Sequence, residues 1–371
     1  MKYKKFKTIE VSSLGMGNMR LPLLPNTNEP IIDRSSAQDI IDVAVAKGIN
    51  YFDTAYVYQN GDSEKFTGES LQKHPRETYY LATKFHILAN PNYKEVFETQ
   101  LQRLQTDYID FYLIHALADH TYQSYIDSGC IEYFLEQKKA GRIKYLGFST
   151  HASVETLIKF ADYHDWDFTQ IQLNYFDWKY GTAKKEYEVL RDRNIPIMVM
   201  EPVRGGRLVS LSPTARHILN KVHPEWSTAS WAFRWLKRFP EVKVILSGMS
   251  TLEQLNENLE TFADNLALTD EEDAVLMKAC DAFRKEVSVP CTDCRYCCEG
   301  CPPQINIPAV IEVYNRFKTD GVWALQKLKA IESEGAPSDC IGCELCSTIC
   351  PQNIDIPSLM QELEENQPNS I

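Results

Sequence analysis

Two periods of apolar positions alternate along most of this chain. Short apolar runs rich in β-branched and aromatic residues fall at 14–21, 50–54, 79–84, 109–115, 145–149, 168–174, 196–201 and 242–248, and each reads as a buried strand. Between them, stretches with one apolar face at helical spacing occupy 35–47, 63–72, 93–104, 131–139, 154–164, 183–193, 228–238 and 251–263. Ser35, Ser63 and Thr251 are expected to cap helix starts, and Gly48 and Gly141 to stop helices. Strand and helix alternating eight times over roughly 250 residues is the count and length of a (β/α)8 TIM barrel. A doubly wound open sheet is the competing α/β architecture. Its glycine fingerprint is missing, because Gly15 and Gly17 in LGMGNM have no helix directly behind them.

The barrel is assigned to residues 1–268, a helix and linker to 269–290, and a second small domain to 291–371, with a helical stretch over 310–331 and a polar, frayed end over the last ten residues. Of 371 residues, 39 are basic and 51 acidic, and the formal net charge is −12. This balance disfavours nucleic acid and anionic membranes as partners. The basic N-terminus lacks the apolar centre of a signal peptide, and no apolar run approaches a membrane span, so the cytoplasm is the expected compartment. There are 11 cysteines, of which only Cys130 and Cys280 precede residue 290, and both read as inert packing. An odd number crowded into the tail points to thiolate ligation of metal in a reducing compartment rather than to disulfides.

Chemistry in such a barrel gathers at the carboxyl ends of the strands. Asp53 ends the second strand, Lys84 the third and His115 the fourth, and Tyr58 follows on the second loop. Singly, each is a common structural residue, and an Asp–Lys pair is often a plain ion pair. Jointly they make a proton-delivery set. A tyrosine hydroxyl, with an ordinary pKa of about 10, needs help to act at neutral pH. A lysine within reach stabilises the phenolate, an aspartate holds the lysine, and a neutral histidine orients a carbonyl oxygen.

The stretches FDTAYVY, ATKF, DFYLIH, GFST, QIQLNY and EPVRGG together resemble the aldo-keto reductase family over roughly residues 8–265. The resemblance implies hydride transfer between NADPH or NADH and a small carbonyl or alcohol substrate, with Tyr58 as the acid and Asp53, Lys84 and His115 completing its tetrad. It also implies that Ser149 and Gln170 contact the nicotinamide amide, that Gly17 and Asn18 lie by the ribose, and that Asn258 lies near the adenine. Met200 stands where many members stack an aromatic ring on the nicotinamide. The 247–258 loop holds no Lys or Arg for the extra phosphate of NADPH, which points to NADH or to a weakly held nicotinamide. Arg204 and Arg207 are the nearby cations, read either as pyrophosphate contacts or as solvated loop charges. Pocket walls are expected from Met19, Tyr56, His86, Trp178 and Tyr180.

The tail carries C-x2-C-x2-C-x3-C-P twice, at Cys291, Cys294, Cys297 and Cys301 and again at Cys340, Cys343, Cys346 and Cys350, each followed by Ile-x-Ile-Pro. This is the bacterial ferredoxin pattern for two [4Fe-4S] clusters, in which the fourth cysteine of each run serves the other cluster. Cys291, Cys294, Cys297 and Cys350 would hold one, and Cys340, Cys343, Cys346 and Cys301 the second. Structural zinc is the alternative for paired C-x2-C runs. Cys298 is an extra thiol inside the first run, either a spare or a substitute ligand.

Nicotinamide delivers two electrons and a cluster carries one, and no flavin-binding pattern is visible to convert between them. Two functions follow. One is a reductase or alcohol dehydrogenase whose clusters are structural or serve a redox partner protein. The other is an electron-transfer protein whose barrel binds a nicotinamide or flavin as a regulatory or docking module.

Overall fold

The computed structural model describes residues 1–366 except 26, 28, 29, 287, 288 and 321. They form two compact units: Met1–Pro202 with Ala229–Thr269, and Val203–Thr228 with Asp270–Ile371. The segment between the seventh and eighth barrel strands thus belongs with the cysteine-rich tail, a grouping that a linear boundary at 268 does not express.

The first unit opens with an antiparallel hairpin, β1 (Tyr3–Phe6) and β2 (Ile9–Ser12). Eight parallel strands follow: β3 (Leu14–Gly17), β4 (Tyr51–Asp53), β5 (Tyr80–Phe85), β6 (Ile109–Leu117), β7 (Ile143–Thr150), β8 (Phe168–Gln172), β9 (Ile197–Met200) and β10 (Val242–Ser247). They pair in sequence order and β10 closes on β3, making the expected barrel. Its interior holds Tyr51, Ala82, Phe111, Leu113, Phe168, Met198, Val244 and Leu246. Phe6 and Val11 of the hairpin pack into this same cluster, Phe6 lying 5.2 Å from the Phe111 ring and 4.9 Å from that of Tyr145. Burying such a phenylalanine contributes roughly 1.5–3 kcal/mol. The hairpin escapes a reading by pattern because Lys2, Lys4, Lys5 and Lys7 mask its few inward positions.

Helix starts differ in two places from expectation. Asp33, not Ser35, caps Arg34–Ala46, accepting from the Ser36 amide at 3.2 Å. Ser63 lies inside Asp62–Leu71, where its hydroxyl shares a hydrogen bond with Thr54 Oγ1 at 2.8 Å and donates to Asn18 O at 3.1 Å. Its polarity serves the barrel rather than the helix end. Thr251 does cap Leu252–Thr261, and Gly48 and Gly141 take left-handed conformations just past their helices.

In the second unit the larger helices are Pro213–Asn220, Asp270–Glu286, Ile307–Asp320 and Ile356–Asn366. The single helix expected over 310–331 instead starts at Ile307, ends at Asp320 and gives way to a 3-10 stretch, Val322–Ala330. Gly321, a poor helix former, stands between them in the sequence. The polar C-terminal end is helical as far as Asn366, and 367–371 lie outside the described residues, as do 287 and 288 of the expected linker. Both Ile-x-Ile-Pro tails place their proline in the first turn of a helix, where its missing N–H costs nothing. Their isoleucines, Ile305, Ile307, Ile354 and Ile356, form one core with Val310, Ile311, Tyr314, Leu359, Met360 and Leu363.

Candidate active site and cluster cradle

Asp53 is the last residue of β4, Lys84 is next to last in β5, and His115 sits near the end of β6. All three are almost wholly enclosed. The Lys84 ammonium donates to Asp53 Oδ1 at 2.5 Å and to the Thr54 carbonyl at 2.6 Å, and reaches the Tyr58 hydroxyl at 3.4 Å. The Tyr58 and His115 rings meet edge to face at 5.9 Å. Four groups separated by as many as 62 positions therefore surround one point at the barrel mouth (residues 53 and 115, 115 − 53). Tyr58 is held by an unusual turn, since Gln59 and Asn60 both adopt left-handed conformations at φ 45° and 54°. Strain of this kind gathers at functional sites.

Burial governs the electrostatics. It raises the Tyr58 hydroxyl well above its ordinary value, and the negative charges of Asp53 and Glu201 add to this. A lysine at this distance is expected to lower that pKa, yet burial and the two carboxylates set the direction upward. The phenol therefore stays protonated. Burial pushes Asp53 up and Lys84 down, and each partner's charge pulls the other back. His115 is held neutral by burial first, and then by the charges of Lys84, His86 and His151. Its Nδ1 is enclosed and has no hydrogen-bond partner among the described residues.

The residues expected around a nicotinamide fall on the same rim. Ser149 and Gln170 are direct register partners on β7 and β8. Ser149 Oγ accepts from the Ala116 amide at 2.8 Å, and Gln170 Oε1 is buried without a partner. A carboxamide N–H is the kind of donor such an oxygen lacks. Gly17 pairs in register with Asp53, and Asn18 donates to Thr67 Oγ1 at 2.7 Å, leaving its own Oδ1 unpartnered. Asn258 donates to Ser247 Oγ at 3.0 Å, and Met200 closes β9. The loop after β10 has no cation of its own, yet Arg20 supplies one. Its stem packs on Gly248, and its carbonyl accepts from Ser250 Oγ at 2.7 Å.

Some supports had no signal in the sequence. Glu64, fully enclosed, accepts from Thr83 at 2.6 Å, Gln100 at 2.7 Å and Arg103 at 3.0 Å, while Gln100 also donates to the Lys84 carbonyl at 3.0 Å. Tyr125 donates to the His115 carbonyl at 2.5 Å. Of the expected pocket walls, His86 lies 5.3 Å from the His115 ring. Met19 accepts a side-chain hydrogen bond from Gln59 through its carbonyl, and Tyr56 stacks under the Arg103 guanidinium. Trp178 instead packs with Tyr187, Trp235 and Phe239, and Tyr180 with Phe176.

In the second unit, Cys291, Cys294, Cys297 and Cys350 line one cavity, and Cys301, Cys340, Cys343 and Cys346 line another. The fourth cysteine of each run faces the cavity of the other, as the ferredoxin pattern implies. Among the described residues no three His, Cys, Asp or Glu side chains gather tightly enough for a single metal ion. Thiolates spread around a cavity suit a cubane, whereas zinc draws its sulfurs in to about 2.3 Å. The backbone repeats as well. Asp293 and Arg295 flank Cys294 with positive φ, as Gly342 and Glu344 flank Cys343, and Gln304 and Asn353 do so three positions after each fourth cysteine. Turns of this kind point amide N–H groups inward at an anion. Cys298 lines neither cavity, and Cys130 and Cys280 are buried away from both.

Residues 13–282 match the aldo/keto reductase family and residues 290–354 the 4Fe-4S dicluster domain. A (β/α)8 barrel with buried Asp, Lys, Tyr and His side chains gathered at its mouth and a cysteine-lined helical unit behind it in sequence fits an oxidoreductase. The chain belongs to the aldo/keto reductase family and carries a 4Fe-4S dicluster domain at its C-terminal end. It is 28% identical over 307 residues to the uncharacterized oxidoreductase YqkF of Bacillus subtilis, covering 73% of this chain and 94% of that one. It is 26% identical over 320 residues to the NADH-specific methylglyoxal reductase of Escherichia coli, covering 73% and 94%. Among solved structures, the holo form of aldo-keto reductase AKR11C1 from Bacillus halodurans aligns with a TM-score of 0.63 at 26% identity, over 75% of this chain and 96% of that one. No helix among the described residues is long and apolar enough to cross a membrane.

Proposed function

We propose that this protein reduces a small aldehyde or ketone, or runs the reverse oxidation, with Tyr58 as the proton donor. The convergence of Asp53, Tyr58 and Lys84 on one point carries the reading. Tyr58, kept protonated by burial, donates its hydroxyl proton to the carbonyl oxygen as negative charge builds there. Lys84, fixed by Asp53 and the Thr54 carbonyl, sits behind that hydroxyl to stabilise the phenolate left behind. Neutral His115 orients the carbonyl oxygen, and Ser149 and Gln170 hold a carboxamide beside it. When bound, NADPH or NADH supplies hydride and the clusters supply single electrons.

Arg20 beside Gly248 favours the phosphate of NADPH, and the lack of cations in the loop itself favours NADH. The ratio of the two dissociation constants decides between them. Cys291, Cys294, Cys297 and Cys350 would bind one [4Fe-4S] cluster, and Cys301, Cys340, Cys343 and Cys346 the other. Such thiolates last in a reducing compartment, which makes the cytoplasm the proposed location and a redox protein the partner for any electron leaving the clusters.

The test is NAD(P)H oxidation by a panel of aldehydes. Tyr58→Phe should lower kcat by about 10²–10⁴-fold with cofactor affinity kept, and Cys294→Ala should retain activity while losing iron. Unchanged turnover in Tyr58→Phe, with turnover abolished by cluster loss, would assign the activity to the clusters instead.

A further inference from the structure

The segment 203–208 follows β9 in sequence but belongs to the same compact unit as the cysteine tail. Its backbone lies directly on the first cysteine run. Gly205 has φ +62°, and a Cβ placed there would meet the Thr292 carbonyl oxygen at 1.7 Å, so only glycine fits. Arg204, 5% exposed, donates to the Pro290 carbonyl at 2.9 Å and to Gln352 Oε1. Those two acceptors flank Cys291 and Cys350, so one guanidinium ties together the two chain segments that bring distant cysteines to the first cavity.

Arg207 is different. Its Nε and Nη2 are fully enclosed and have no hydrogen-bond partner among the described residues. A buried guanidinium with two idle donors is costly, and each idle donor calls for an acceptor. The groups whose charges act on it are the Cys291 thiol, Glu312, Asp293 and Arg204, and burial draws it below its ordinary basicity. Beside the carboxylates of Glu312 and Asp293, the acceptor this setting offers is cluster sulfur, which carries net negative charge once four thiolates bind.

We propose that Arg207 is a positioning residue for the first cluster, its Nε and Nη2 donating to the sulfur of Cys291 or to an adjacent sulfide, so that the first cluster accepts an electron more readily than the second. Hydrogen bonds to sulfur and nearby positive charge favour the reduced form. Among the described residues, the walls of the second cavity beyond its cysteines are apolar apart from Glu344 and hold no cation, whereas Arg295 lines the first and the charge of Arg207 acts on its Cys291. The inference rests on the cluster assignment above.

The experiment is an EPR-monitored potentiometric titration of the full-length protein, reconstituted anaerobically, in wild-type, Arg207→Gln and Arg207→Lys forms. Wild-type iron near eight per chain, with two one-electron couples, tests the cluster assignment itself. Given that, R207Q should lower the reduced fraction of one couple about tenfold at fixed potential, or about 59 mV for a one-electron step, and leave the other couple unmoved. If glutamine costs the cluster its iron, R207K decides: with iron complete, the same couple should shift the same way by a smaller amount. Unmoved couples in a variant with full iron overturn the proposal. So does a loss of NADH or NADPH affinity without a shift, which would assign Arg207 to a pyrophosphate.

Discussion

Replacing Lys84 with methionine tests the core of the proposed site without invoking any cofactor. The ion-pair side chains are 1% and 4% exposed, so neither charge is screened by water. Among the described residues Asp53 Oδ2 has no hydrogen-bond partner, and Lys84 donates to Oδ1. Lys84→Met thus strands a buried carboxylate, a change worth about 3–5 kcal/mol when one member of a buried pair is removed. Against total stabilities of about 5–15 kcal/mol this is a large fraction. Removing both charges, in Lys84→Met with Asp53→Leu, should be nearly neutral, because the desolvation of two ions is relieved together. With Asp53→Leu alone costing a similar amount, about 3–5 kcal/mol, the coupling energy of the cycle is about 6–10 kcal/mol in magnitude.

The sign with pH is also fixed. In K84M the folded-state pKa of Asp53 rises further above its unfolded value, so the folded form binds the proton more tightly and the deficit relative to wild type shrinks as pH falls. Urea unfolding followed by tryptophan fluorescence at pH 7 and pH 5, with iron content as a check on the second unit, measures all of this. Both variants should be inactive. A K84M protein no less stable than the double variant would mean that Asp53 was never left with an uncompensated charge, and the geometry argued here would fail.

Crossed ligation makes a sharp forecast for metal content: Cys350→Ala should disturb the cluster of the first run, and Cys301→Ala that of the second, each lowering iron from about eight to about four per chain if the other cluster persists. Mössbauer and iron assays on each variant check this, and loss of the cluster of its own run in either would refute the crossing. Acid stability offers another test. His115 is held far below its ordinary 6.5 and His151 is lowered to about 4, so below pH 6.5 the unfolded chain binds protons that the folded one refuses. These two imidazoles should therefore lower stability as pH drops from about 6.5 towards 4, while buried carboxyls such as Asp53 and Glu186, the latter raised to about 7, act in the opposite sense, so the readout is the difference in slope between wild type and a histidine variant. His115→Gln, uncharged at every pH, should flatten that slope.

Where the sequence spoke clearly, it did so through period and punctuation. The eight strand runs were legible because each is apolar, short and bounded, and the strand-end residues could be picked out because barrel chemistry collects at one rim. The cysteine spacing also grouped the thiols as the two cavities are lined, each fourth cysteine facing the cavity of the other run. What stayed hidden has physical reasons. Glu64 and Gln100 look like solvent-facing positions, and nothing in one-dimensional order shows that they meet under Lys84. Arg20 lies more than two hundred positions from the loop it packs against. The raised hydroxyl of Tyr58 could not be foreseen either, because depth of burial is a property of the folded mouth.

The division of the chain into interleaved units bears on how the protein can be dissected. Residues 203–228 are made before β10, the strand that completes the barrel, yet their companions come from the far end of the polypeptide. Trimming at residue 268 would leave Arg204 and Gly205 facing solvent where Pro290, Thr292 and Gln352 had been. A truncated barrel of that kind should be sticky and prone to proteolysis around residue 205, and its behaviour would be a poor guide to the intact enzyme.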